Sequence, residues 1–336
     1  MKWRLLSLAL PMLVAAAVLV YVVPAHSFLP EATIVGGSLV GDHWASSSMP
    51  IPWQINNTVS GANIAGTPAS VQTATVTSFS TWTGTPNTAL SVGAPTVNTS
   101  ITSVGAIPSN VNFVCFVCSG GSFNGDGTLA VTSTFSTNGV ITHAFIIFNP
   151  SANTGGSTPQ AICFTAGSTS CPVANSLQQD LQTVMTHEIG HFFGLDHSAI
   201  VRAMMFPAAP DLQRQLSYDD FAGISTLYPA SSTTVATGSV SGMVTSSSGA
   251  AVFGAHVFAD STTGATNSLL AAAGIRKSPI GTLTRTDGSY SIGGLPADTY
   301  VVIAEPLDGP ESNADVDWAS TFGQSSVQTN FTSRWH

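Results

Sequence analysis

Three stretches of the chain carry apolar side chains at helical spacing. The first follows Thr67-Pro68, an N-cap residue with proline at the first helical position, and ends at Gly84. The second is expected to open at Ser176, where Gln179 stands three residues on and completes a capping box. The third covers Ser217–Tyr228 and is followed directly by proline. Each stretch therefore predicts an amphipathic helix.

Two apolar stretches between residues 128 and 148 are typical of β-strands. Residues 128–136 alternate partly and are rich in β-formers, whereas residues 140–148 form a more continuous apolar run, as a buried inner strand does. Thr137-Asn138-Gly139 between them predicts a hairpin turn. Residues 52–55 form a shorter predicted strand. Strands followed by helices within one domain predict the α+β class.

The pattern changes after residue 230. Residues 230–238 are a linker by composition, and short apolar runs separated by glycine turns follow. The runs lie at residues 240–244, 255–259, 290–292 and 300–304, and they predict a small all-β sandwich. We therefore expect a lead-in over 28–48, an α+β domain over 49–229, the linker, the sandwich over 239–305 and a tail of unknown structure over 306–336.

The charge balance excludes one class of partner. The 336 residues include 8 Lys or Arg against 17 Asp or Glu, a formal net charge of −9. No basic residue lies between Arg4 and Arg202, and a phosphate-binding surface needs clustered Lys and Arg. Nucleic acid is therefore excluded as a partner. Separately, we expect the protein to be a monomer.

Residues 1–27 have the pattern of a cleaved export signal. Two basic residues precede an apolar run over residues 5–23, and the small residues Ala25 and Ser27 stand before the expected cleavage site. The mature chain would begin near Phe28, be secreted and contain no membrane span. The alternative is an uncleaved anchor that keeps the protein at the cell surface, since the run approaches the roughly 20 residues that a membrane span needs.

Four cysteines suit an oxidising compartment, and they allow three pairings. The short separations favour Cys115 with Cys118 and Cys163 with Cys171, each closing a local loop. Cys115-x-x-Cys118 also has the spacing of half a zinc site, but Cys163 and Cys171 lack the usual spacing of a second half. We therefore predict two disulfides.

The candidate chemistry lies between residues 187 and 197. On a helix, residues four apart share a face, so His187 and His191 can offer two imidazoles to one ion. Glu188 stands beside them as a general base. Gly194 ends the helix, because glycine adopts the left-handed conformation cheaply, and the returning chain brings His197 to the same ion. Three histidines leave a fourth tetrahedral position for water, as in catalytic zinc sites.

This stretch resembles the extended zinc signature of the metzincin endopeptidases, and within that clan it looks most like the matrixins. A serine, Ser198, follows the third histidine as it does in matrixins. Residues 203–207 resemble the matrixin Met-turn, with Met205 as the methionine beneath the metal. Residues 216–228 look like the matrixin C-terminal helix.

The resemblance implies a metzincin fold, a twisted mixed sheet with helices and a zinc cleft, and one catalytic Zn²⁺. It also implies a protein or peptide substrate, with Glu188 as the general base. Phe206 and Pro207 would form the wall of the pocket for the side chain after the scissile bond. Leu129 and Ala130 would lie in an edge strand, residues 128–132, along which the peptide extends. The usual inhibitory propeptide cysteine is missing before the domain, so any latency works differently.

Other polar residues have less specific patterns. Asp196 neighbours a ligand, and a supporting role for it stays open. We expect His143 to be a packed core residue and His256 a surface or turn-adjacent strand residue. Residues 124–127 have a turn composition that is also compatible with Ca²⁺. Asp219 and Asp220 are expected to stabilise the first turn of their helix, Asp220 by capping Ser217.

The segment beyond Gly238 resembles the carboxypeptidase regulatory-like, or transthyretin-like, β-sandwich. The matching pieces are residues 242–244, 252–257, 287–292 and 294–300. This resemblance implies no chemistry. The sequence thus favours a secreted zinc endopeptidase, and the alternative is a cell-surface binding or adhesion protein with an inactive peptidase domain.

Overall fold

A computed structural model describes residues 28–123, 127–168, 170–208, 212–309 and 312–335. The predicted signal segment, residues 1–27, lies outside this part of the chain. The same holds for residues 124–126 of the possible calcium loop. Among the described residues, no helix is both long enough and apolar enough to cross a membrane.

The strands are named here in chain order. They are β1 Ala32–Val35, β2 Ser38–Gly41, β3 His43–Trp44, β4 Gln54–Asn56, β5 Ile64–Ala65, β6 Thr96–Val97, β7 Phe113–Cys115, β8 Ala130–Thr137, β9 Val140–Phe148, β10 Ile162–Thr165, β11 Leu177–Asp180, β12 Thr237–Met243, β13 His256–Ser261, β14 Ile280–Leu283, β15 Ser289–Pro296, β16 Tyr300–Glu305 and β17 Arg334–Trp335.

The helices of the described residues follow the predicted order. They are α1 Pro68–Thr83, α2 Leu181–Phe192, α3 Tyr218–Leu227, α4 Ser268–Ala272 and α5 Trp318–Thr321. Thr67 caps α1 and Gly84 ends it, as predicted. Ser217 caps α3 in a capping box with Asp220, also as predicted. The short helices α4 and α5 have no counterpart among the predictions.

The start of α2 differs from the prediction. Ser176 and Gln179 do not form a capping box; residues 177–180 are instead β11, which pairs in parallel with β10. The helix begins only at Leu181, and the Asp180 carboxylate accepts the backbone N–H of Thr183 at 2.9 Å. Strand pairing therefore replaces the first helical turn that the local sequence favoured.

The first part of the molecule is built on a mixed sheet, as predicted, and this sheet has six strands. Strands β3, β9, β7, β4 and β6 run in parallel in that order, and β8 pairs antiparallel with β9 through the predicted hairpin. Helices α1 and α2 pack together: Trp82 Nε1 donates to the Thr186 carbonyl oxygen at 2.8 Å. Phe79 meets Phe192 edge to face. This core fixes the orientation of α2.

The C-terminal part contains one sheet of β14, β13, β16 and β17 and one ribbon of β12 and β15. It packs directly on the first part, since a Cβ on Gly294 of β15 would lie 2.7 Å from the Ala222 side chain of α3. Residues 230–238, which were predicted as a linker, also contact the first part of the molecule. Val235 is buried, and its carbonyl oxygen accepts from Asn87 Nδ2. The assignment of a separate sandwich domain stays a prediction.

Both predicted disulfides are formed. Cys115 pairs with Cys118, and Cys163 pairs with Cys171. None of the four sulfurs is therefore a thiolate ligand, which removes the alternative of a zinc site at Cys115-x-x-Cys118.

Candidate metal centre

Helix α2 brings the first two histidines together, as their spacing predicted. The ring centroids of His187 and His191 lie 4.9 Å apart. Their Nδ1 atoms both donate to backbone carbonyl oxygens, His187 to Met204 at 2.8 Å and His191 to Leu195 at 2.7 Å. Since a carbonyl only accepts, these bonds fix the proton on Nδ1 and leave each Nε2 free to bind a metal.

Gly194 turns the chain back toward the helix, as predicted. Its φ is +87°, in the left-handed region that favours glycine, and a Cβ there would overlap the carbonyl oxygen of Asp42. The turn delivers His197, whose ring centroid lies 5.2 Å from that of His187 and 4.8 Å from that of His191. His197 Nδ1 donates to the Asp315 carbonyl oxygen at 2.5 Å.

The three histidines form a ligand set for a single ion. One potential ligand atom of each lies within 4.8 Å of the other two. It is the one group of three or more His, Cys, Asp or Glu side chains with such spacing in the described ranges. Three imidazoles with free Nε2 atoms, and no fourth ligand among the residues that the structure describes, fit catalytic zinc rather than a closed structural site.

Burial keeps the three imidazoles in the neutral form that binds metal. It lowers the pKa of His187 to about 3, with a further contribution from His197. Burial likewise lowers the pKa of His191 and of His197. Neutral imidazoles need not lose a proton before an ion binds.

Glu188 is buried beside the three histidines. Burial raises the pKa of its carboxyl to about 7, against a hydrogen bond from Thr132 that lowers it. The Thr132 hydroxyl lies 2.6 Å from Glu188 Oε2. Because Thr132 belongs to β8, this bond ties the glutamate to the strand that forms the side of the cleft.

The predicted Met-turn lies against α2. Met205 is buried, and its carbonyl oxygen accepts the backbone N–H of Ser198 at 2.9 Å. The Asp220 carboxylate accepts the N–H groups of Met204 and Met205 at 2.7 and 3.2 Å. Asp220 thus caps α3, as predicted, and also holds the turn that supplies the carbonyl partner of His187.

The sequence of the segment that carries this site matches a known protein family. Residues 122–229 match the peptidase family Matrixin. This segment is matrixin-like. It contains all three histidines, Glu188 and Met205, so the resemblance to matrixin-like metzincins is confirmed here.

Curated relatives agree with that match over short segments. Metalloendoproteinase 1 of Glycine max is 45% identical over 62 residues, which are 18% of this chain and 20% of the relative. Metalloendoproteinase 5-MMP of Arabidopsis thaliana is 49% identical over 51 residues, 15% of this chain and 14% of the relative. Karilysin of Tannerella forsythia is 45% identical over 49 residues, 15% of this chain and 10% of the relative. The family match and these names support a zinc metalloendopeptidase.

A cleft of about 710 Å³ opens above the three histidines. Leu129, Ala130 and Pro207, which were predicted to contact substrate, all line it. Phe206 differs: its side chain is buried and is not part of the lining. The strand β8 pairs with β9 along one edge, and no other described strand pairs with it.

Part of the cleft lies outside the matrixin-like segment and was not predicted. Glu31 lines it from the N-terminal side, where its carboxylate accepts from Thr134 Oγ1 and burial raises its pKa to about 8. Asp315 and Asp317 line it from the C-terminal side. No local pattern marks these three residues, because only distant contacts bring them to the cleft.

Three further polar residues differ in their relation to the site. The Asp196 side chain contacts the backbone of the third ligand: Asp196 Oδ1 accepts the His197 N–H at 2.7 Å. His143 is partly exposed rather than a core residue, and it stacks on Phe135 with 4.2 Å between ring centroids. His256 begins β13, but it is buried rather than at the surface, with Nδ1 3.1 Å from Glu305 Oε1.

Proposed function

We propose that this protein is a secreted zinc-dependent endopeptidase that hydrolyses peptide bonds in extracellular proteins. The observation that carries the proposal is the convergence of His187, His191 and His197 beside Glu188 at the base of an open cleft. Zinc held by the three Nε2 atoms would supply a Lewis acid for the scissile carbonyl and for the attacking water. The matched segments cover only 10 to 20% of the relatives above, so the whole protein's activity is part of this proposal.

Glu188 is the general base in this proposal. Its buried carboxylate takes a proton from the attacking water and later delivers it to the leaving amine. The raised pKa, about 7, suits a group that must both accept and release a proton near neutral pH. Thr132 orients the carboxylate by donating to Oε2 at 2.6 Å.

The peptide substrate would extend along β8. The edge of β8 that does not face β9 offers backbone N–H and C=O groups beside the three histidines, and an extended peptide can pair with such an edge. Leu129, Ala130 and Pro207 all line the same cleft. Main-chain pairing would fix the register of the scissile bond relative to Glu188.

Two features support secretion. Residues 1–27 have the pattern of a cleaved export signal. Both disulfides are formed in the described part of the chain, which suits an oxidising compartment. Expression of the full chain in a secreting host, followed by N-terminal sequencing, tests this: a product in the medium that starts near Phe28 is expected. A retained product that starts at Met1 would contradict it.

The activity is tested by incubating the purified mature chain with a mixed-sequence peptide library. We expect internal cleavage that a zinc chelator abolishes and added zinc restores. The cut sites would then define the pocket preference. No cleavage by protein with full zinc occupancy would instead favour a binding protein with an inactive peptidase domain.

A further inference from the structure

The third histidine differs from the other two in where its hydrogen-bond partner comes from. His187 and His191 donate to carbonyl oxygens within the matrixin-like segment. His197 donates instead to Asp315, which stands 118 residues later in the C-terminal segment. A histidine ligand is oriented by the partner of its second ring nitrogen, so this bond sets which way His197 Nε2 points.

A second contact reinforces the first. The Asp196 carboxylate bridges the two segments: Oδ1 accepts the His197 N–H at 2.7 Å, and Oδ2 accepts the Asp317 N–H at 2.9 Å. The backbone and the ring of His197 are therefore both connected to residues 315–317. Asp196 is 8% exposed, so these bonds form where water competes weakly.

The C-terminal segment is itself firmly held. The Asp315 carboxylate accepts from the backbone N–H and the hydroxyl of Ser312, at 2.9 and 2.7 Å, and closes a turn. Trp318 is buried and its Nε1 donates to the Thr284 carbonyl oxygen at 2.9 Å. Val316 packs in the same apolar cluster as Trp318. A segment anchored in this way can act as a rigid support.

We propose that residues 312–318 are a part of the metal centre that positions His197 for zinc. In this arrangement the Asp315 carbonyl oxygen selects the tautomer of His197. The Asp317 N–H, through its bond to Asp196, keeps residues 312–318 in a fixed position relative to His197. The C-terminal part is then required for the peptidase site rather than appended to it. This inference rests on the proposed zinc site.

The test compares zinc affinity, measured by competition with a chromogenic chelator, in two variants at one position. Asp317→Pro removes the N–H that Asp196 accepts, and the φ of Asp317, −84°, is close to what proline requires. Asp317→Ala is the matched control, because it keeps the N–H and removes only an exposed carboxylate. Loss of a partner that orients a ligand lowers metal affinity by about 10- to 100-fold.

We expect Asp317→Pro to bind zinc at least about tenfold more weakly than Asp317→Ala, as such orienting bonds are worth. Equal affinities in the two folded variants would overturn the inference. If the proline variant does not fold, Asp315→Ala takes its place, with Ser312→Ala as control. Asp315→Ala removes both bonds that the Asp315 carboxylate accepts and keeps only the backbone bond from the Asp315 N–H to the Ser312 carbonyl oxygen, whereas Ser312→Ala also keeps the bond from the Ser312 N–H to the carboxylate. Equal zinc affinity in that pair would also overturn the inference.

The outcome is separable from that of the proposed function. A wild-type chain that binds no zinc at all would refute the zinc site itself. If wild type binds one zinc, and the folded Asp317→Pro and Asp317→Ala variants bind it with equal affinity, only the role of residues 312–318 is refuted. Circular dichroism of the metal-free variants establishes that each is folded.

Discussion

The sulfur of Met205 occupies the place where a side chain on Gly190 would begin. A Cβ built on Gly190 would overlap Met205 Sδ and lie 2.9 Å from Trp82 Cζ2. Gly190 stands in α2 between the two histidine ligands, in a helix position where glycine costs about 1 kcal/mol relative to alanine. The close packing of the Met-turn against the helix therefore explains why a glycine is suitable there.

Gly190→Ala is expected to destabilise the fold by overpacking, by about 1–3 kcal/mol. The free energy of unfolding by denaturant measures this. A double-mutant cycle with Met205→Ala separates the cause: removing the methionine sulfur should recover part of the loss. Fully additive effects of the two substitutions would show that Met205 is not what Gly190 accommodates.

Gly194→Ala should lower the free energy of unfolding by more than backbone strain alone would. Its φ of +87° disfavours alanine, and the added Cβ would also overlap the Asp42 carbonyl oxygen. Gly61 is the matched control, since its φ is +94° and no atom lies within 4 Å of a Cβ there. We expect Gly61→Ala to lower the free energy of unfolding by about 1 kcal/mol and Gly194→Ala to lower it clearly more. Gly194→Ala should also weaken zinc binding. Equal losses in unfolding free energy at the two sites would contradict the structure.

The ion pair at the start of α2 predicts a pH dependence of stability. Burial alone would raise the pKa of Asp180, but hydrogen bonds from Arg214 and Thr183 outweigh it and hold the pKa below its usual range. Arg214 Nε donates to Asp180 Oδ2 at 2.8 Å. Since the native pKa lies below the unfolded value of about 3.9, the stabilisation is present above that value and is lost as pH falls through the native pKa.

Asp180→Asn should therefore lower the free energy of unfolding at neutral pH by about 1.5–3 kcal/mol, the range for hydrogen bonds to charged groups. The difference from wild type should shrink in strong acid, where both forms are uncharged. Denaturant unfolding at a series of pH values measures it. A difference that stays constant down to about pH 2 would exclude the carboxylate charge as its source.

Thr132→Val should impair turnover without removing zinc. The Thr132 hydroxyl lowers the pKa of Glu188, so its loss raises that pKa and moves the acid limb of the kcat/KM profile to higher pH. Thr134→Val serves as the control, because Thr134 contacts Glu31 and lies on the same strand. If both variants kept the wild-type pH profile, Thr132 would have no influence on the base.

The sequence alone predicts that the three histidines and Glu188 lie together, because helical spacing and one glycine turn bring them together locally. The sequence alone does not predict the residue at which α2 begins, because pairing of β11 with β10 overrides the apparent capping box at Ser176. Asp180 with Thr183 was the better local signal for an N-cap. Such competition between a cap and a strand depends on a partner strand at residues 162–165, which local patterns do not reveal.

The rest of the cleft depends on long-range contacts. Asp315 lies in a segment without periodicity, and it reaches His197 because Val316 and Trp318 pack with Leu29 and Leu39. Glu31 reaches the cleft because its backbone N–H donates to the Gly194 carbonyl oxygen. Neither relationship has a spacing that a sequence pattern could show, so only the folded chain identifies them.

The most direct test of the proposed function measures bound zinc and peptide cleavage in the same samples of wild type and Glu188→Gln. We expect one zinc per chain in both proteins, because Glu188 is not a ligand. Only wild type should cleave at a substantial rate, and its cleavage should disappear with chelator and return with zinc. Cleavage by zinc-loaded Glu188→Gln at near the wild-type rate would contradict the assignment of the base. Wild-type cleavage that persists without zinc would contradict the metallopeptidase itself.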